Sequence, residues 1–213
     1  AASRSRAKTS MIGALGDDPY SNSLRDVLAV EAIDSHMVRG MHGVCGTAVI
    51  EVDSAGQNRI VVIAGANADM KASEILASEF NAQTIVLAQL ESPVTELSAI
   101  FAAAKMRGAK TILNPAPAGE LPDSFLKNVD ILVPNQHEAK ILSGLNADTR
   151  EEATAAARAL LGRYGCRCGC QRGPALSRTD FMDCHSTLGG PDQCIRKKCT
   201  GSDCQLKKQF HIK

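Results

Sequence analysis

The chain has 213 residues, 44% of them hydrophobic, which is enough for one sizeable core and too apolar for disorder throughout. Net charge is +1 and aromatics are 3% with no Trp, which argues against a stacking platform for nucleic acid. No apolar run is long enough to span a membrane, and no secretory signal is recognisable. The averages hide a break: residues 165–213 hold nine basic and four acidic side chains and seven of the eight cysteines, Cys45 alone preceding them. Residues 1–164 and 165–213 are therefore read separately.

In chain order, Ser10 to Gly16 reads as a short buried strand ending at glycine. Asp17-Asp18-Pro19 caps a helix over Leu24, Val27 and Leu28. Residues 46–52 and 59–63 are β-rich and joined by Asp53-Ser-Ala-Gly-Gln-Asn58, so 46–63 reads as a hairpin, with Gly65–Ala68 as a loop after it. Strands follow at 84–88, 110–113 and 130–133, alternating with helices at 93–106, 123–127 and 138–142 and another at 150–162. Short apolar strands alternating with helices mean crossover units, hence an α/β fold with a parallel sheet flanked by helices.

In open parallel sheets a ligand crevice lies outside the carboxyl ends of the strands. Glu91, Asn114 and Asn135 follow three such ends, and Glu138 stands three residues after Asn135. Two readings of Asn135 and Glu138 stand together. They can form a helix cap with Asn at the N-cap and Glu at N3, or they can serve phosphate and metal handling at a helix N-terminus. Glu91 is either an acceptor for substrate hydroxyls or a solvated acid near a helix start. Asn114, before Pro-Ala-Pro, can simply hold a turn.

Six stretches recur together in order: Met11 to Asp18, Gly46 to Val52, Asn58 to Val62 with Gly65-Ala-Asn67, Gln89-Leu-Glu91, Leu113-Asn-Pro-Ala-Pro-Ala118, and Val133-Pro-Asn-Gln-His-Glu-Ala139. Over roughly the first 162 residues the chain resembles the ribokinase-like (PfkB) carbohydrate kinases. The Asn-Pro-Ala-Pro-Ala stretch with Glu91 points to the ribose-phosphorylating branch.

The resemblance implies a Rossmann-like α/β domain with a small β-lid, of which hairpin 46–63 is part. It implies transfer of the ATP γ-phosphoryl to the 5-hydroxyl of D-ribose, with Mg²⁺ and with K⁺ as activator. Asn135 and Glu138 would position Mg²⁺ and the ATP phosphates without ligating a metal directly, and Glu91 would contact ribose. The lid would also make a homodimer contact. Location would be the cytoplasm, with the nucleus as a second site, and neither nucleic acid nor membrane would be a partner. Another sugar or nucleoside kinase of the same family is the alternative. A non-catalytic remnant that binds or dimerises through the hairpin is a second.

The departures are large. The family's first strand and its Gly-Gly-Lys-Gly-Ala-Asn sugar loop have no counterpart. Neither does the Gly-Ala-Gly-Asp anion hole whose Asp is the general base, nor the segment with the adenine pocket and K⁺ ligands. The expectation is a fold incomplete at both ends, without a catalytic residue of its own and inactive alone. After residue 164, three readings of the Cys-rich basic tail compete. It could bind metal, although no C-x-x-C pair occurs, or it could be rich in disulfides. The abrupt break inside an otherwise faithful match favours the third, a shifted reading frame.

Overall fold

The computed structural model describes residues 1–54, 56, 58–75 and 77–169. Strand β1 (Ser10–Leu15) leads through Gly16 into helix α1 (Pro19–Val30), and β2 (Asp34–Gly40) returns parallel to β1. Strands β3 (Thr47–Val52) and β4 (Asn58–Ile63) form an antiparallel hairpin paired from Thr47–Ile63 to Val52–Asn58. Three single 3₁₀ turns follow, at Gly65–Asp69, Ala72–Glu74 and Ala77–Glu79.

The larger unit is a four-stranded parallel sheet in the order β5-β6-β7-β8. Its strands are β5 (Ile85–Ala88), β6 (Lys110–Leu113), β7 (Ile131–Leu132) and β8 (Arg167–Cys168). The crossovers are α2 (Val94–Met106), α3 (Asp123–Leu126), α4 (Gln136–Ser143) and α5 (Arg150–Tyr164). The expected parallel α/β sheet and the separate small β-hairpin are both present.

One face of this sheet carries the core. Val86, Leu113, Leu132 and Cys168 pack with Leu97, Ile100, Phe101 and Ala104 of α2, Phe125 and Leu126 of α3, and Leu160 of α5. The Phe101 and Phe125 rings meet edge to face at 5.3 Å, a geometry their quadrupoles favour. Helix α5 buries Ala153, Ala156, Ala157, Leu160 and Tyr164 at helical spacing. It starts on a Thr149–Glu152 capping box and stops at Gly165, whose φ of 73° is the left-handed conformation a helix end needs. On the opposite sheet face Ile85 and Leu87 remain 65% and 59% exposed. Leu87 shares that face with Ile112 and Ile131 through the register.

Three differences from the sequence expectations stand out. Strand β2 was not anticipated, because Asp-Ser-His-Met-Val-Arg-Gly has no clean alternation and earns its place only by pairing with β1. The expected loop at Gly65–Ala68 is a 3₁₀ turn, and the two further 3₁₀ turns at Ala72–Glu74 and Ala77–Glu79 have no counterpart in the sequence expectations. Strand β8 lies within the stretch assigned to the tail: the Gly169 N–H donates to Leu132 O at 2.9 Å, and Cys166 and Cys168 are buried. Residues 165–169 thus extend the sheet. The metal, disulfide and reading-frame expectations for the rest of the tail lie outside the described residues. Within them Cys45 and Cys166 are free thiols, and burial pushes Cys166 up to about 11.

Candidate active site

The carboxyl ends of β5, β6 and β7 face one region, as parallel crossovers require. The backbone stitches them together. The Asn114 N–H donates to Ala88 O at 2.9 Å, the Leu90 N–H to Ala116 O at 2.8 Å, and the Val133 N–H to Leu113 O at 2.8 Å. The loop carrying Glu91 is therefore tied to the Asn-Pro-Ala-Pro loop, and β7 to the end of β6. Pro115 and Pro134 are fully buried and anchor the loops from below. Glu91 and Asn114 are half-buried at this edge.

Pro134 holds Val133 extended, and α4 then begins at once. Asn135 is its N-cap. The Asn135 side chain accepts from the Glu138 N–H at 2.9 Å, and the Asn135 N–H donates to Glu138 Oε2 at 2.8 Å. A third bond runs from Asn135 Nδ2 to Glu138 Oε1 at 2.8 Å. The pair is thus a complete capping box. Glu138 is only 4% exposed. Its burial raises its pKa above 4.5, against the opposing pull of the Asn135 N–H and of nearby His137.

This geometry bears on metal binding. Mg²⁺ keeps several waters and takes one or two carboxylates beside phosphate oxygens. Glu138 does not fit as a direct ligand, because both its oxygens already accept from Asn135 and almost none of its surface is open. Among the described residues no group of three or more His, Cys, Asp or Glu could hold a metal ion. The pair fits an outer role, fixing the start of a helix whose N-terminal dipole favours an anion.

A second constellation sits at the root of the β3–β4 hairpin. Asp18 caps α1 by accepting the Ser21 N–H at 2.8 Å, and its other oxygen accepts the Cys45 N–H at 2.8 Å. Asp17 accepts the Gly43 N–H at 3.0 Å and donates its own N–H to Gly43 O at 3.0 Å. Both carboxyls are held below their ordinary 3.8, chiefly by these backbone donors. The Asp-Asp pair is legible in sequence as a helix start. Its bonds across some 27 residues to the hairpin root carry no sequence signal.

Comparison with known proteins agrees with this arrangement. The profile of the pfkB family carbohydrate kinases matches residues 1–165. Ribokinase of Staphylococcus aureus is 36% identical over 155 residues, covering 71% of this chain and 51% of that protein. Deoxyribokinase of Salmonella typhi is 30% identical over 167 residues, 76% of this chain and 55% of that one. The structure of Arabidopsis thaliana ribokinase complexed with ribose and ATP superposes with a TM-score of 0.72 at 25% identity, over 81% of this chain and 57% of that chain. This chain spans about half the length of the curated relatives it matches. With a fold, a set of strand-end motifs and a family profile that coincide over residues 1–165, the chain belongs to the pfkB family of carbohydrate kinases.

Proposed function

We propose that this chain is part of an ATP-dependent kinase that phosphorylates the 5-hydroxyl of D-ribose. The observation that carries the reading is the convergence of the Glu91 loop, the Asn114 loop and the capped Asn135–Glu138 pair at one sheet edge. In this reading Glu91 accepts hydrogen bonds from sugar hydroxyls. The N-terminus of α4, held by Asn135 and Glu138, faces the ATP phosphates. Asn135 and Glu138 would position a Mg²⁺ ion and the phosphates through the helix start they fix, and that ion would supply charge neutralisation; K⁺ would be an activator for which these residues offer no assigned ligand. Phosphoryl transfer needs positioning and charge neutralisation more than covalent chemistry, which suits such an edge. The 213 residues contain no Gly-Ala-Gly-Asp segment to supply the general base. The chain by itself is therefore proposed to bind without turnover.

The hairpin is read as the lid and as a homodimer contact. Its support is the apolar surface of Val49, Ile50, Val52, Ile60, Val61, Val62 and Ile63, each between 44% and 66% exposed.

Titration calorimetry with D-ribose, 2-deoxyribose and ATP, beside a coupled phosphorylation assay, tests the reading. Saturable ribose binding that Glu91→Ala abolishes supports it. Measurable turnover by the chain alone overturns the inactivity, and preference for 2-deoxyribose overturns the sugar. Light scattering on eluting protein reports the dimer.

A further inference from the structure

The hairpin is held at its root, not along its length. Among the described residues β3 and β4 make their extensive contacts only with each other. At the root the two legs cross: the Ala66 N–H of the trailing leg donates to Val44 O of the leading leg at 2.9 Å. Space there is tight. A Cβ on Gly65 would lie 2.5 Å from Val44 O, and one on Gly16 would collide with the backbone of 43–45. Cys45 is 3% exposed and packs with Leu15 of β1 and Val38 of β2.

Two neighbouring carboxylates, Asp17 and Asp18, tie this root to the body. Asp18 holds the first turn of α1 with one oxygen and the leading leg, at Cys45, with the other. We propose that Asp18 is a positioning residue that makes the hairpin and the β1–α1 turn one mechanical unit. Asp17 gives parallel support: its carboxylate accepts the Gly43 N–H, and its own N–H donates to Gly43 O. With the latch closed, the angle of the hairpin follows the β1–α1 turn. With it open, the hairpin pivots about the Gly43–Gly46 and Gly65 segments. The inference rests on the reading of the hairpin as a lid for its functional meaning, but not for its mechanics.

Capping and latching separate by substitution. Asn at an N-cap is as good as Asp, yet it has only one acceptor oxygen. Asp18→Asn therefore keeps the α1 cap and loses the bond to Cys45. Asp18→Ser keeps a capping hydroxyl that cannot also reach Cys45, which guards against the Asn amide seating the other way round.

The experiment is residue-resolved amide exchange on the full 213-residue chain and both variants, without and with D-ribose plus ATP. The expected result is at least tenfold faster exchange at Cys45, Ala66 and the β3–β4 ladder in both variants, with the first turn of α1 and core amides such as Leu113 unchanged. Unchanged exchange at the hairpin overturns the proposal, as does equal acceleration of α1 and the core. If the variants loosen the hairpin but ligands do not protect it in the parent chain, the latch stands and the lid reading fails.

Discussion

Thr111 and Asp130 hold each other in both directions. The Thr111 N–H donates to Asp130 Oδ2 at 2.9 Å, and the Asp130 N–H donates to Thr111 Oγ1 at 3.0 Å. Lys105 from α2 completes the group with Nζ 2.6 Å from Asp130 Oδ1. This cluster lies at the amino ends of β6 and β7, opposite the candidate active site. Burial works to raise the Asp130 pKa, but the Lys105 ammonium and the Thr111 donors outweigh it, so the net shift is below 3.8. A depressed carboxyl stabilises the fold above its unfolded pKa and loses that contribution as pH falls through its folded value. Asp130→Ala should cost about 1.5–3 kcal/mol at neutral pH. Urea midpoints measured at pH 7 and again in acid should show the gap between variant and parent closing.

Glu138 should behave in the opposite sense. Burial raises its pKa, so its protonated form is favoured in the folded state. Its contribution to stability is largest below 4.5 and declines as pH rises through the raised folded value. A carboxyl NMR titration should place Glu138 above 4.5, with Asp17 and Asp18 below 3.8 in the same sample. Glu138→Ala should cost about 0.5–1.5 kcal/mol through the lost bond from the Asn135 N–H, read as a lowered urea midpoint.

Some of this was legible in residues and some was not. Asn135 and Glu138 are three apart beside a proline, so a local rule of helix capping reaches them, and the structure forms that box. Strand β6 was visible because Thr111-Ile-Leu113 is a short β-favouring run bounded by Gly108-Ala109 before it and Asn114-Pro115 after it. Strand β2 was not, because its stability comes from a partner some two dozen residues earlier in the chain rather than from its own pattern. Strand β8 is two residues long and ends in a stretch whose cysteines and arginines read as tail. Its burial comes from β7 and α5. The double use of Asp18 is invisible for the same reason: one oxygen serves a local cap, the other a residue 27 positions away.

Gly65 should tolerate no side chain. Its φ is 49°, and a Cβ would stand 2.5 Å from a main-chain carbonyl that cannot easily move. Gly65→Ala should cost at least ~1–2 kcal/mol from the left-handed conformation alone. Gly13→Ala is the control, since a Cβ there meets nothing within 4 Å. Urea unfolding of both variants checks the contrast, and equal midpoints would contradict the crossing geometry at the hairpin root.

The open sheet face should make the chain sticky. A parallel sheet is normally covered on both faces, yet Ile85 and Leu87 are mostly exposed here. Leu87→Lys should lower self-association in concentration-dependent light scattering. Its effect on the urea midpoint should stay within about ±0.5 kcal/mol, as for an exposed position.

The strand order β5-β6-β7-β8 runs in step with the chain. Each new strand docks beside the one made just before it, so no pairing in this sheet waits for a distant segment. Contacts that close over short loops form early and cost little chain entropy. Residues 85–168 can therefore assemble one crossover at a time as they leave a ribosome, with α2 covering β5 and β6 and α5 covering β8.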